Sequence, residues 1–239
     1  MKVVITQSML FPWVGLLEQI HLADVLVHYD DVQFSKGSFT NRVQVKTPKG
    51  VEWMTVPLRD LKLGMVIDEV KTAPSELWWG KHMALLDRSF EGAPYAEDAL
   101  MIAREVYEVD HPSIGHLARA SMLLLGEYFG LLNNKRLMDV RELCIDGSGS
   151  QRVLNIVRAV GGTVYLTGHG ARNYLDHEAF EQAGIQVQYM QYESHPYSQR
   201  WGEFTPFVTA LDLVASHGRD GQRFLSSSGV AWRKFLSRT

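Results

Sequence analysis

The chain opens on Val3-Val4-Ile5, an apolar run that stops at the polar Thr6-Gln7-Ser8. A short run without alternation suits a strand buried on both faces of a sheet. Pro12 then breaks the chain, and after it Leu16, Leu17, Ile20 and Leu22-Ala23 recur at the spacing of one apolar helix stripe. A second apolar run, residues 25–29, ends abruptly in Asp30-Asp31. Two buried strands joined through a short helix make a βαβ unit, and such units hold ligands at the carboxyl ends of their strands. The pattern therefore predicts that Thr6-Gln7-Ser8 and Asp30-Asp31 share one cleft.

Beyond Phe34, polar and apolar residues alternate on either side of Thr47-Pro48-Lys49-Gly50, which predicts a hairpin with strands at about 39–46 and 51–57. Val70 marks a further short strand. From Ser75, read as a helix cap, to about Leu132 the apolar spacing is helical, with breaks at Gly92-Ala93-Pro94 and His111-Pro112-Ser113. Three helices are expected, the last over 114–129 and closed by Gly130. Strand and helix then alternate: strand 137–145, helix 151–160, strand 164–166, helix 175–183 and strand 185–189. Leu211, Leu213 and Val214 place a terminal helix that ends near Gly218, with Asp212 on another side of it, bonded to the site loops or, more simply, on a solvated face. Alternation of this kind argues for a mostly parallel sheet. The expected fold is α/β, a single Rossmann-like domain over 1–239 with helices flanking the sheet. A β-hairpin at about 39–57 and a helical region at about 75–132 are inserted into it.

Composition narrows the function classes. A chain of 239 residues buries a sufficient core without metals or disulfides, and a net charge of −3 offers no electrostatic footprint for nucleic acid. No apolar run is long enough for membrane insertion, and the amino terminus lacks the layout of a signal peptide, so a cytoplasmic protein is expected. The single cysteine, Cys144, excludes an internal disulfide, and its neighbours Leu143 and Ile145 place it in a buried strand as a small hydrophobe. Nine histidines form no HExxH or other ligand spacing, so no metal is expected. Trp78, Trp79 and Tyr95 read as packing residues.

Several groups are placed to carry chemistry. Asp30 or Asp31, at a strand end where the chain turns, would enter the cleft as a general base while the other caps the next segment. Asn41, Arg42 and Lys46 lie on the first hairpin strand. Arg42, Gln44 and Lys46 share one face there, where a guanidinium fork and a point charge suit a carboxylate or phosphate. The run from Tyr165 to Leu175 joins a strand to a helix through glycines. Glycines there, Gly168 among them, allow close backbone approach after Thr167, backbone N–H groups at the helix start can bind an anionic group, and Arg172 stands at the mouth. Gly147-Ser148-Gly149-Ser150 precedes the neighbouring helix, so two helix-starting loops would face one edge as an anion or nucleotide site. His195-Pro196-Tyr197-Ser198-Gln199 follows the final expected strand. His195 can shuttle a proton, and Tyr197 and Gln199 can donate hydrogen bonds to a developing oxyanion. Each group also has a plain structural reading as a turn, an exposed strand face or a connector.

The opening stretch, NRVQVKTPKG, WMTVP, YLTG-G-R-YL and HP-Y-Q, taken in that order, resemble the WbqC-like family, proteins often encoded among genes for bacterial surface polysaccharides. The resemblance covers nearly the whole chain. It implies amide formation or amino-acid transfer onto sugars and carriers, with an amine attacking an activated carboxyl carbon. Catalysis would fall to Asp30, Asp31 or His195, and substrate binding to Gln7, Trp13, Asn41, Arg42, Lys46, Thr167, Gly168, Arg172, Tyr197 and Gln199. The partners implied are a small-molecule amine or amino sugar and a carrier protein, with an acyl-carrier thioester or a nucleotide as co-substrate. The opening also looks like the start of pantothenate synthetases and related nucleotidyltransferases. Gln7 and Trp13-Val14-Gly15 stand where those enzymes carry a paired histidine-glycine signature. A nucleotidyltransferase-like enzyme and a non-catalytic binder of glycan precursors therefore remain as alternatives.

Overall fold

The computed structural model describes residues 1–237. It begins with β1 (Lys2–Thr6), α1 (Val14–Leu22) and β2 (Val25–His28), the βαβ unit of the opening pattern. An insertion follows. It holds the hairpin β3 (Arg42–Thr47) and β4 (Gly50–Thr55), the short pair β5 (Leu58–Arg59) and β6 (Lys71–Thr72), and α2 (Trp79–Phe90), α3 (Ala96–Tyr107) and α4 (Ile114–Tyr128). The alternating half resumes with β7 (Arg136–Asp139), α5 (Gly149–Ala159), β8 (Val164–Thr167), α6 (His177–Gln182) and β9 (Gln186–Gln191). The described chain closes with α7 (Leu211–His217), β10 (Ser228–Ala231) and α8 (Trp232–Leu236).

The main sheet has the order β10-β9-β8-β1-β2-β7, parallel throughout except for β10, which runs antiparallel to β9. The chain therefore starts in the middle. β2 and β7 are added on one side of β1, β8 and β9 on the other, and the direction of winding reverses between β1 and β8. Loops diverge at such a reversal and leave a crevice beyond the carboxyl ends of the strands.

Alternate residues of each parallel strand feed two cores. Val4, Leu26, Leu166 and Met190 pack with the helices of the insertion, α1 and α7. Val3, Val25, Val27, Tyr165, Val187 and Tyr189 pack with α5 and α6. Val3 and Val4 are both fully buried. At about 1.5–3 kcal/mol for each large apolar side chain taken from water, this two-sided burial makes the strand ends stiff supports for the loops beyond them.

Three segments differ from the sequence pattern. The strand expected over 137–145 stops at Asp139, because the Asp139 carboxylate accepts the Arg141 N–H (2.9 Å) and turns the chain into a short 3-10 helix, Val140–Leu143. Cys144 follows in the left-handed region (φ 49°) and is exposed, so it is not the buried strand residue that its neighbours suggested. The helix expected from 175 starts at His177, since Asp176 accepts the Ala179 N–H at 3.1 Å and fixes the first turn there. Ser75 begins only a 3-10 turn, and α2 starts at Trp79. β10 and α8 carry too few periodic apolar positions to announce themselves in sequence.

Candidate functional site

A cavity of about 1190 Å³ lies across the carboxyl ends of the parallel strands. Its wall takes Thr6 and Gln7 from the loop after β1, Tyr29 and Asp31 from the end of β2, and residues 147–149 from the start of α5. Thr167 and Gly168 after β8 and residues 192–195 after β9 complete the polar rim. The two polar clusters of the opening unit do share this cleft, but their members divide. Gln7 and Asp31 face the cavity, whereas Ser8 and Asp30 are fully buried and bonded to each other.

That division follows from how the loops are anchored. Asp30 accepts hydrogen bonds from the Ser8 N–H (2.7 Å), the Ser8 hydroxyl (2.6 Å) and Arg119 of α4 (2.8 Å). Arg119 also binds Asp139 at 2.6 Å and lies 3.8 Å from Asp68, which pairs with Arg141 at 3.1 Å. Burial holds the Asp68 carboxyl above its usual range. The insertion thus clamps the ends of β1, β2 and β7 from behind the cavity. Its helix α4 reaches further along the first loop, where Ser121 Oγ accepts the Phe11 N–H at 2.7 Å and holds Phe11 at φ 37°. A non-glycine residue in that region is strained by about 1–2 kcal/mol, so the loop is held by its contacts and not by local preference.

Asp31 is oriented by a residue that the sequence reading passed over. Arg152, in the first turn of α5, grips it through two parallel bonds of 3.0 and 2.5 Å, donates to the Ile145 carbonyl at 2.9 Å and lies 5.0 Å over the Tyr29 ring. Burial pushes the Tyr29 hydroxyl up. Among the described residues no side chain caps α5, so its first backbone N–H groups are open to an acceptor beside Ser148 and Gly149 in the cavity wall. The signal for Arg152 was available: a guanidinium one turn into a helix that follows Gly-Ser-Gly-Ser.

The opposite wall is aromatic. The Trp13 ring lies 4.9 Å from Tyr192 and 6.1 Å from Phe207, and all three line the cavity. Gly15 allows this arrangement, because a Cβ there would stand 2.2 Å from the Trp13 ring. Glu18, also on α1, faces the same space while only 4% exposed. It accepts the Ser227 hydroxyl (2.6 Å) and N–H (3.3 Å), and burial raises its carboxyl above the usual range. His195 stands at the rim with its side chain 45% exposed, and Glu193 lies 3.9 Å away. Tyr197 lines the cavity and is buried. Gln199 donates to its hydroxyl at 3.1 Å, and Asp212 bonds it from behind. Asp212 is itself buried, not on a solvated helix face, and burial lifts its carboxyl to about 6.

Of the residues picked from sequence, Gln7, Trp13, Asp31, Thr167, Gly168, His195 and Tyr197 meet at this cavity. Asp30 does not, since all of its exposure is lost to Ser8 and Arg119. Arg42 is also elsewhere: it donates to the Gly37 carbonyl and stacks 4.2 Å over Trp53 on the outside of the hairpin. Asn41 bonds the Val56 carbonyl at 3.0 Å. Lys46 is buried and ties down residues 199–203, reaching Gln199 Oε1 at 2.9 Å and the carbonyls of Gly202 and Glu203. Gln199 is therefore a loop fastener outside the cavity wall, and Arg172 is exposed outside it as well. Hairpin alternation placed Lys46 on a face without telling that another loop would cover that face.

The description "WbqC-like protein family" belongs to the family model that matches residues 7–224. Among curated proteins, the chain is similar to one named "Uncharacterized protein Rv1507c" from Mycobacterium tuberculosis (strain ATCC 25618 / H37Rv). The two are 30% identical over 227 residues, which is 94% of this chain and 97% of the relative. No solved structure matches the chain.

Proposed function

This chain belongs to the WbqC-like protein family, and we propose that it is a transferase that forms an amide by letting an amine attack an activated carboxyl group. The observation that carries the reading is one cavity that combines an aromatic wall, an Arg152-held carboxylate, an uncapped helix start and a histidine at the rim. The aromatic wall suits the flat or apolar part of a large substrate. The start of α5 suits a phosphate or other anionic group, as in a nucleotide-linked sugar or a phosphopantetheine carrier arm. His195 is placed to take the proton released as nitrogen attacks. In that step the C–N bond forms, the bond from the acyl carbon to its leaving group breaks, and the leaving group departs with the bonding pair. Asp31, fixed by two bonds to Arg152, positions a hydroxyl of the acceptor. Surface-polysaccharide or specialised-metabolite biosynthesis offers substrates of this kind.

The uncapped helix start also favours a second reading, a nucleotidyltransferase-like enzyme in which ATP phosphates occupy the same end of the cavity. One assay separates the two. Thiol release from acyl thioesters, and pyrophosphate release from ATP with free acids, are followed with amino sugars and their nucleotide-linked forms as acceptors, and amide products are identified by mass spectrometry. The transferase reading expects amine-dependent thiol release that falls by on the order of 10²-fold in His195→Ala. Amide formation that requires ATP and yields pyrophosphate would replace it with the second reading. Saturable ligand binding without product across the panel would leave a binding protein.

A further inference from the structure

Three carboxylates approach the cavity or its back wall, Glu18 and Asp30 buried and Asp31 half-buried, and they differ in one respect. Asp30 is matched by Arg119 at 2.8 Å and Asp31 by Arg152 at 2.5 Å. Glu18 is matched by neither. Among the described residues its hydrogen-bond donors are the neutral hydroxyl and N–H of Ser227 and the N–H of Ser226, with no lysine or arginine paired to it and His195 at the rim as the cationisable group that acts on it. An ionised carboxylate out of water is tolerated when a cation or a set of donors replaces its hydration. Here the donors come from one side, and the cavity lies on the other.

The surroundings on the cavity side favour positive charge. Trp13, at the start of α1, and Tyr192 form a ring pair 4.9 Å apart, and the Glu18 charge acts on Tyr192. Ring faces attract ammonium groups, most strongly where water is excluded. Burial that keeps the Glu18 carboxyl above its usual range is relieved when a cation is brought to it.

We infer that Glu18 is the counter-ion for the primary ammonium group of the substrate, which binds at the aromatic wall formed by Trp13 and Tyr192. The inference rests on the reading that the acceptor is an amine, and it identifies the end of the cavity that recognises it. The anionic part of the substrate is left to the start of α5 and Asp31 to neutral polar groups. Selection for an amine then occurs in binding, before any acyl donor is present, and the bound ammonium passes one proton to the Glu18 carboxylate to become the nucleophilic amine and the second to His195 as its nitrogen attacks.

The test uses binding without a donor. D-glucosamine and 2-phenylethylamine are titrated into the full chain beside D-glucose and 2-phenylethanol, their hydroxyl counterparts, by calorimetry and ligand-observed NMR. The wild type should bind each amine at least about tenfold more tightly than its hydroxyl counterpart, and Glu18→Gln should bring the two within about threefold. If the wild type shows no preference for the ammonium form, or Glu18→Gln keeps it, the assignment is overturned. Should Glu18→Gln fail to fold, Glu18→Asp decides, because it keeps the charge but withdraws it by one methylene. A weakened preference supports the assignment, and a full wild-type preference overturns it. Glu18-dependent binding in a protein that yields no amide with any donor overturns the amide-forming reading alone, so the two failures are distinct.

Discussion

Replacing Arg119 with methionine tests whether the charged cluster behind the cavity supports the site or merely accompanies it. The guanidinium bonds Asp30 at 2.8 Å and Asp139 at 2.6 Å, lies 3.8 Å from Asp68, and has a side chain only 16% exposed. Methionine fills much the same volume without charge. Asp30, which has no exposure at all, would keep the Ser8 donors but lose its cation. Removing one partner of a buried pair costs about 3–5 kcal/mol, much of it the penalty of the charge left behind. For a chain of this size each kcal/mol lowers the melting temperature by about 2–4 °C, so Arg119→Met should melt roughly 6–20 °C below the wild type. Urea unfolding followed by circular dichroism gives the free-energy difference directly. Asp30→Asn combined with Arg119→Met should lose less than the two single changes together, with a coupling of at least about 1 kcal/mol. Because Arg119 joins α4 to the loops that carry Gln7 and Asp31, the variant should also bind cavity ligands more weakly while still folded. A loss below about 1 kcal/mol with additive single changes would refute the view that this cluster clamps the strand ends.

Further predictions concern the wall, the core and the loop. Gly15→Ala places a methyl 2.2 Å from the Trp13 ring, so the indole must shift by about 1 Å or more. Aromatic-ligand binding should fall several-fold with a stability loss of about 1–3 kcal/mol, and unchanged binding would show that Trp13 is not held by this contact. Among the described residues buried His28 has no partner for either ring nitrogen, and burial lowers its pKa to about 4. A histidine depressed below its unfolded value contributes stability that is present above about pH 6.5 and lost as pH falls towards 4, by up to about 3 kcal/mol. His28→Leu should flatten that acid limb in urea titrations, and an unaltered limb would refute the assignment. Lys46→Met removes the bonds to Gln199, Gly202 and Glu203, and limited proteolysis within 198–204 should become roughly fivefold faster or more. Equal cleavage rates would mean that the loop is fastened elsewhere.

Much of the fold was written in short-range pattern. Val3-Val4-Ile5, residues 25–29 and 164–166 are apolar without alternation, and the only stable place for such runs is inside a parallel sheet with helices on both sides. From that alone, the carboxyl edge, and with it Gln7, Asp31, Thr167 and the loop at His195, could be named as one neighbourhood. Tertiary structure decided which member of each polar pair faces the ligand. Asp30 and Asp31 are chemically the same and adjacent in sequence, yet Arg119 arrives from an inserted helix behind one and Arg152 from a crossover helix beside the other. Lys46 and Arg42 looked alike on a hairpin strand until residues 199–203 folded over one of them. Glu18 reads as a helix charge amid Leu16, Leu17 and Ile20, and it becomes a cavity residue only because Ser227, far along the chain, supplies its donors. Periodicity records which face of an element is dry. Whether a charge on that face meets its opposite, a serine or an empty cavity depends on contacts between distant segments, which no local spacing encodes.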